Sequence, residues 1–296
     1  MKVWVTGATG LLGREVMKAL RTVPGLAVTG GCWSRRAPEC ERVDLTDVSA
    51  TEAFLNRFRP DVIVHAAAER RPDVGENNPD LVQALNVAAC RTLARWSAEA
   101  GCAMIAISTD YVFDGTKPPY APDSEPHPIN RYGESKLAGE RAIRDAGLER
   151  GCVLRVPILF GPTGDWAESA VTILARKMLD ASAGATLEMD NWAIRYPTYT
   201  TDVAAVLRTL VLREREGKGL RGIQHWSGDE PFTKYTMARV MASVIGFDPA
   251  RLQPVNAPSA GAPRPKDAHL ITTVEGIAKT PFAQAVEQVL RGTPNV

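Results

Sequence analysis

The chain has 296 residues, of which 45% are hydrophobic and 23% charged, with a formal net charge of +1. That length suits one large α/β domain, or a domain with a smaller lobe, around a sizeable buried core. The near-neutral charge argues against a nucleic-acid partner, and apolar runs no longer than a strand argue against a membrane span.

The first predicted strand covers 3–6 and runs directly into Gly7-Ala8-Thr9-Gly10-Leu11-Leu12-Gly13, after which a helix is predicted over 11–22. Strand, glycine turn and helix in this order form the signature of a dinucleotide phosphate site. The first glycine allows the tight turn, the second admits the pyrophosphate, and the third lets helix and strand pack closely. The free N–H groups of the helix start then face the phosphates. Further strands are predicted at 27–33, 62–66, 103–108 and 153–159, alternating with helices at 48–58, 79–100 and 131–145. Continuous apolar strands alternating with helices predict a doubly wound parallel sheet of the Rossmann type. After residue 160 the rhythm changes, with helices predicted at 168–183, 202–216 and 233–245 and a Pro/Gly-rich loop at 256–266. The expected organisation is therefore a dinucleotide-binding domain at 1–160 and a smaller C-terminal α/β substrate lobe at 161–296, with a chain that can cross back into the first domain.

The five cysteines are odd in number and lack CxxC spacing, which supports neither disulfides nor a zinc framework. No signal-peptide pattern precedes the glycine turn, so a cytoplasmic location is expected. The four histidines, His65, His127, His225 and His269, share no metal-ligand spacing, so no metal is assigned; His65, closing an apolar strand, reads as structural.

An NAD-preferring fold places a carboxylate at the end of the second strand, about 20 residues past the glycines. Here the chain reads Gly31-Cys32-Trp33-Ser34-Arg35-Arg36. A hydroxyl and two guanidiniums suit a phosphate, so NADP(H) is expected, with Ser34, Arg35 and Arg36 around its 2′-phosphate. Asp44 and Leu45 are expected to flank the adenine. The small residues Ala66, Ala67 and Ala68 would let the cofactor lie against the backbone behind the third long strand.

Tyr132 and Lys136 stand four apart on one predicted helix and share a face. A phenol is a poor acid–base group at its ordinary pKa of about 10, and a neighbouring ammonium favours its ionised form. Ser108-Thr109-Asp110-Tyr111-Val112-Phe113-Asp114-Gly115 follows the strand at 103–108, placing hydroxyls where open α/β sheets bind ligands. Either Thr109 or Ser108 is expected to bond a substrate carbonyl while Tyr132 supplies a proton.

Together, the glycine motif at 7–13, the Ser108-Thr109-Asp110 stretch and the Tyr132/Lys136 pair resemble the extended short-chain dehydrogenase/reductase superfamily. Within it, residues 108–115, Arg195-Tyr196-Pro197-Thr198 and Arg264-Pro265 resemble the dTDP-4-dehydrorhamnose reductase family. A closer resemblance, to that family's branch of regulatory beta subunits of methionine adenosyltransferase, is carried by four stretches: residues 5–14, Ala67-Ala68-Glu69-Arg70-Arg71-Pro72-Asp73-Val74, Val156-Pro157-Ile158-Leu159 and His225-Trp226-Ser227-Gly228.

The resemblance implies Thr109, Tyr132 and Lys136 as a catalytic trio. It implies NADP(H) contacts at Gly7, Thr9, Gly10, Leu11, Leu12, Gly13, Asn86, Tyr132, Lys136 and Pro157, besides those read above. It also implies a nucleotide-sugar pocket lined by Ser108, Asp110, Arg195 and Arg264 and faced by 157–169 and 192–198. The implied activity is NADPH-dependent reduction of a 4-keto-6-deoxy nucleotide sugar. The implied alternative is a non-catalytic NADP-binding subunit partnering a methionine adenosyltransferase catalytic subunit; a homodimer is expected at family level. The chain carries Pro157-Ile158 where the rhamnose-pathway reductases usually have a tryptophan. It ends at Thr293-Pro294-Asn295-Val296, where the beta subunits extend into a tail that inserts into their partner.

Overall fold

A computed structural model describes residues 1–292; the terminal 293–296 stretch, and the expectation attached to it, lie outside the described residues. The chain forms β1 (Lys2–Thr6), α1 (Leu11–Arg21), β2 (Ala27–Cys32), β3 (Cys40–Arg42), α2 (Val48–Phe58), β4 (Val62–His65), α3 (Pro72–Asn77), α4 (Pro79–Val82), a π-helical turn (Gln83–Ala88), α5 (Ala89–Ala100) and β5 (Ala103–Thr109). It continues with α6 (Arg131–Asp145), β6 (Gly151–Val156), β7 (Leu159–Phe160), α7 (Ile173–Leu179), β8 (Leu187–Asp190), β9 (Thr198–Tyr199), α8 (Thr200–Arg215), β10 (Arg221–His225), α9 (Lys234–Ile245), β11 (Leu252–Val255) and α10 (Phe282–Gly292).

Seven strands form one parallel sheet in the order β10-β6-β5-β4-β1-β2-β3. Its inner strands are buried on both faces, as their uninterrupted apolar runs require. On one face Leu12, Val16 and Leu20 of α1 pack with Val203, Leu207 and Leu210 of α8. On the other, Phe54 and Leu55 of α2 and Leu93 and Trp96 of α5 cover Trp4, Ile63 and Met104. The fold class is therefore α/β, doubly wound. The strand order reverses between β1 and β4, and the carboxyl ends of strands at such a switch form the ligand crevice of open α/β sheets.

The C-terminal lobe has its own core, in which Trp166, Leu174, Met237, Met241, Phe282 and Val286 meet. It includes the two-stranded β8–β11 pair. The segment through α8 and β10 leaves this lobe and rejoins the large sheet, β10 pairing with β6 from Arg221↔Gly151 to His225↔Arg155. Thus residues beyond 160 divide between the two cores.

Several predicted elements differ in extent. The strand predicted over 153–159 breaks at Pro157, which has no N–H for the ladder, into β6 and the short β7. The helix predicted over 79–100 contains the π turn, and the one predicted over 168–183 is α-helical only across α7, after a 3-10 turn at Trp166–Glu168. Among the described residues, no helix is long and apolar enough to cross a membrane.

Candidate active site

The glycine turn lies at the switch between β1 and β4. Gly7 takes φ +65°, the left-handed region, and a Cβ there would stand 2.9 Å from the Ala67 backbone. Gly10 N–H closes the turn onto the Gly7 carbonyl at 2.8 Å. A Cβ on Gly13 would lie 2.1 Å from that same carbonyl, so α1 seats against the turn only because Gly13 has no side chain. No side chain caps α1 at Gly10. Its first N–H groups therefore remain available to an anion, and this uncapped start beside a turn in which Gly7 and Gly10 carry no side chain fits a dinucleotide pyrophosphate. Thr9 gives its carbonyl to the Arg14 guanidinium at 2.8 Å, Leu11 opens the helix, and Leu12 turns its side chain into the core. Thr6 Oγ1 bonds His65 Nδ1 at 2.8 Å and accepts from Ala67 N–H at 3.2 Å, tying the ends of β1 and β4 together. His65 is buried, and desolvation followed by the Lys136 charge lowers its pKa to about 3, so it stays neutral. Ala66, Ala67 and Ala68 line the crevice half-buried.

Past β2, Ser34, Arg35 and Arg36 are exposed. Arg35 reaches across the crevice to pair with Glu168 of the C-terminal lobe, whose carboxylate also meets Arg14 Nη2 at 2.5 Å. Asp44 accepts from the N–H and hydroxyl of Thr46 at 2.9 and 2.7 Å, shaping its own turn, and Leu45 is a core residue against α2.

Thr109 ends β5, and Tyr132 lies in the first turn of α6. Asn130 caps that helix, accepting from Gly133 N–H at 2.8 Å. A Cβ on Gly133 would fall 2.2 Å from the Tyr111 carbonyl, so α6 presses directly onto the strand-end backbone. This brings the Tyr132 phenol beside the Thr109 hydroxyl and edge-on to Tyr111, with ring centres 5.9 Å apart. Burial raises the Tyr132 pKa; the Thr109 hydroxyl and the Arg70 guanidinium act in the opposite direction. Lys136, one turn on, is buried, and desolvation lowers its pKa against the pull of Cys90 and Glu140. The expected electrostatic partner of the phenol was Lys136; the cation whose charge bears on it here is Arg70, an exposed residue that the sequence reading had not singled out for the site.

Ser108 and Thr109 point to opposite sides of β5, as strand alternation requires. The Ser108 hydroxyl donates to Glu140, which Arg155 clasps from two nitrogens at 2.9 and 2.6 Å. Of the two hydroxyls considered for the substrate carbonyl, only Thr109 therefore meets Tyr132; Ser108 belongs to a buried ion pair behind the strand. Asp110 accepts from Thr109 Oγ1 at 3.0 Å, and burial raises its pKa to about 6 against the nearby Arg195 charge. Arg195 is 3% exposed, donates to the Ile194 and Pro265 carbonyls, and retains a buried Nη2 with no protein partner. Its guanidinium lies 5.5 Å from the Tyr111 ring centre. Arg264 is committed to Asp73 at 2.7 Å and to the Ala262 carbonyl at 2.9 Å. Asn86 is buried in the π turn, where its amide exchanges bonds of 2.9 Å with the Glu69 backbone and donates to Ser135 at 3.0 Å. It thereby links the segment after β4 to α6. Pro157 is buried just past β6.

The sequence reading did not single out Arg14, Thr163 and Glu168 as site residues, nor the Glu140–Arg155 pair. Only Arg14, beside the glycine motif, carried a local signal.

Residues 1–293 match the family described as RmlD substrate binding domain. The chain is 43% identical over 291 residues to methionine adenosyltransferase 2 subunit beta of Xenopus tropicalis, covering 97% of this chain and 86% of that one. It is 32% identical over 256 residues to a dTDP-4-keto-6-deoxy-D-glucose reductase of Streptomyces niveus, covering 85% and 81%. Among solved structures, the dTDP-4-dehydrorhamnose reductase of Bacillus anthracis in complex with NADP superposes with a TM-score of 0.82 at 26% identity, covering 99% of this chain and 98% of that one. A match over nearly the whole length, together with these relatives, makes this chain a member of the RmlD substrate binding domain family.

Proposed function

We propose that the protein is an NADPH-dependent reductase of a 4-keto-6-deoxy nucleotide sugar. The observation that carries this reading is the placement of Tyr132 beside the Thr109 hydroxyl at the carboxyl end of β5, with Lys136 buried one turn behind. The dinucleotide, when bound, supplies a hydride to the carbonyl carbon. Thr109 and Tyr132 hold the carbonyl oxygen, and Tyr132 donates the proton it needs. Lys136 places a cation beside the crevice, and Arg195 offers its unmet Nη2 to an anionic group of the substrate. Arg35, with Ser34 and Arg36, selects NADP(H) through the 2′-phosphate. Residues 1–160, with the returning α8–β10 segment, carry the cofactor, and the rest of the C-terminal lobe carries the substrate. The unpaired cysteines suit the cytoplasm.

Two relatives support this reading: the Streptomyces niveus reductase by sequence and the NADP-bound Bacillus anthracis reductase by structure. The test is NADPH oxidation with a panel of 4-keto-6-deoxy nucleotide sugars. Turnover is expected, and Tyr132→Phe should lower it by about 100-fold or more while NADPH still binds. Undiminished turnover in that variant would refute the assignment.

The 43% identity to methionine adenosyltransferase 2 subunit beta favours a second reading, an NADP-binding subunit of a methionine adenosyltransferase. Tight NADPH binding without turnover on any keto sugar, together with co-migration with a methionine adenosyltransferase from the same source, would establish it instead.

A further inference from the structure

Three arginines from the carboxyl ends of three neighbouring strands converge on one acidic residue of the C-terminal lobe. Arg14 follows the glycine turn behind β1, Arg35 follows β2, and Arg70 follows β4. Arg14 and Arg35 both pair with the Glu168 carboxylate, and Arg70 donates to the Glu168 backbone carbonyl. Thr163 completes the carboxylate's shell, its hydroxyl donating to Oε2 at 2.6 Å. Arg14 also donates to the Pro162 carbonyl at 3.5 Å.

Glu168 is held in place from behind. Its short helical turn is anchored by the buried Trp166, whose carbonyl accepts from Thr172 at 2.7 Å, and by Ser169, whose hydroxyl donates to the Leu159 carbonyl at 2.8 Å. The Glu168 side chain is 17% exposed, whereas that of Arg35 is 53% exposed. Arg35 is therefore the more exposed partner, and its pairing with Glu168 ties the end of β2 to the C-terminal lobe.

Two guanidiniums closing on one oxyanion is also the arrangement by which arginines hold a phosphate monoester. A carboxylate and a phosphate dianion cannot share Arg35 without strong like-charge repulsion. We propose that Glu168 is an internal anion that competes with the cofactor's 2′-phosphate for Arg35, so that a phosphorylated dinucleotide unlatches the 162–169 segment of the C-terminal lobe. This rests on the NADP(H) reading above. Glu168 then both sets cofactor affinity and couples occupation of the first lobe to the segment leading into α7. NAD, which lacks the phosphate, leaves the latch closed.

Calorimetric titration of NADP and NAD against the wild type, Glu168→Gln, Thr163→Val and Arg35→Ala tests the proposal. Glu168→Gln should tighten NADP by about fivefold and change NAD by less than about twofold. Thr163→Val, which loosens the carboxylate, should shift NADP the same way by less. The gain from Glu168→Gln should vanish when Arg35 is also alanine. Amide exchange across 163–169 should rise with NADP and not with NAD. A folded Glu168→Gln variant with unchanged or weaker NADP binding, or no NADP-specific rise in exchange, overturns the proposal. Failure of the underlying reading has a different signature: a wild type that binds NAD as tightly as NADP, with Arg35→Ala changing neither.

Discussion

Asp110 shows how burial outweighs a nearby charge. Its carboxylate lies close to Arg195 and accepts from Thr109, yet desolvation raises its pKa from 3.8 to about 6. Between those values the folded chain keeps a proton that the unfolded chain has lost, so this residue's contribution to stability falls as pH rises through that window. The loss totals about 3 kcal/mol at most, from about two pKa units at 1.36 kcal/mol each. Asp110→Asn should remove this component: denaturant titrations from pH 4 to 6 should show the variant gaining stability relative to the wild type as pH rises. Parallel curves would refute it. At this scale the glycines, the Tyr132/Lys136 pair and the Ser108/Thr109 hydroxyls were legible as candidates because each sits in a short motif whose chemistry depends on spacing, while the choice of Thr109 over Ser108 needed the fold. Glu168 was not, because its significance comes from Arg14 and Arg35, more than a hundred residues away in the chain.

Helix α6 and the π turn act as one positioning unit. Gly133 presses α6 onto the Tyr111 carbonyl, and a Cβ on Gly139 would come within 2.9 Å of the Asn86 carbonyl. The extra residue of a π turn rotates side chains relative to an α-helix, and here Asn86 is turned inward to satisfy Glu69 and Ser135. Asn86→Ala should leave the Glu69 N–H without its buried partner and cost about 2 kcal/mol in urea denaturation. A change below about 0.5 kcal/mol would show that the amide does not hold the unit together. Apolar periodicity locates such a helix but does not reveal an inserted residue, which is why 79–100 reads as uninterrupted. The edge strands β3 and β10 escaped notice for a related reason: Cys40-Glu41-Arg42 and Arg221-Gly222-Ile223-Gln224-His225 are short and largely polar, and only pairing with β2 and β6 makes them strands.

For the whole molecule, two buried histidines contribute to the response to acid. His65 sits between β1 and α6, and His225 lies at the carboxyl end of β10 with Nε2 facing Arg155 at 3.3 Å. Desolvation, then the Lys136 charge at His65 and the Arg155 charge at His225, lowers both pKa values from 6.5 to about 3. The unfolded chain takes up protons in that window and the folded chain does not, so stability falls as pH drops below 6.5, by about 1.4 kcal/mol per pH unit for each histidine. His225→Asn should lessen the fall in melting temperature between pH 6.5 and 5, leaving the His65 contribution, which Asp110 opposes below about pH 6. An unchanged slope would exclude His225 as a source. Both residues occupy seams: His65 where the strand order reverses, His225 where the chain returns from the C-terminal lobe.

The sequence by itself determined the alternation of buried strands and helices, the glycine turn and the Tyr132/Lys136 pair with a hydroxyl at 108 or 109 before it, because periodicity, backbone freedom and motif spacing are local properties. The tertiary structure alone decided that α8 and β10 return to the large sheet, that Ser108 turns away to Glu140 and Arg155, and that Glu168 closes on Arg14 and Arg35. Each of these depends on which distant surfaces meet in the folded chain, and on how charges removed from water find partners there.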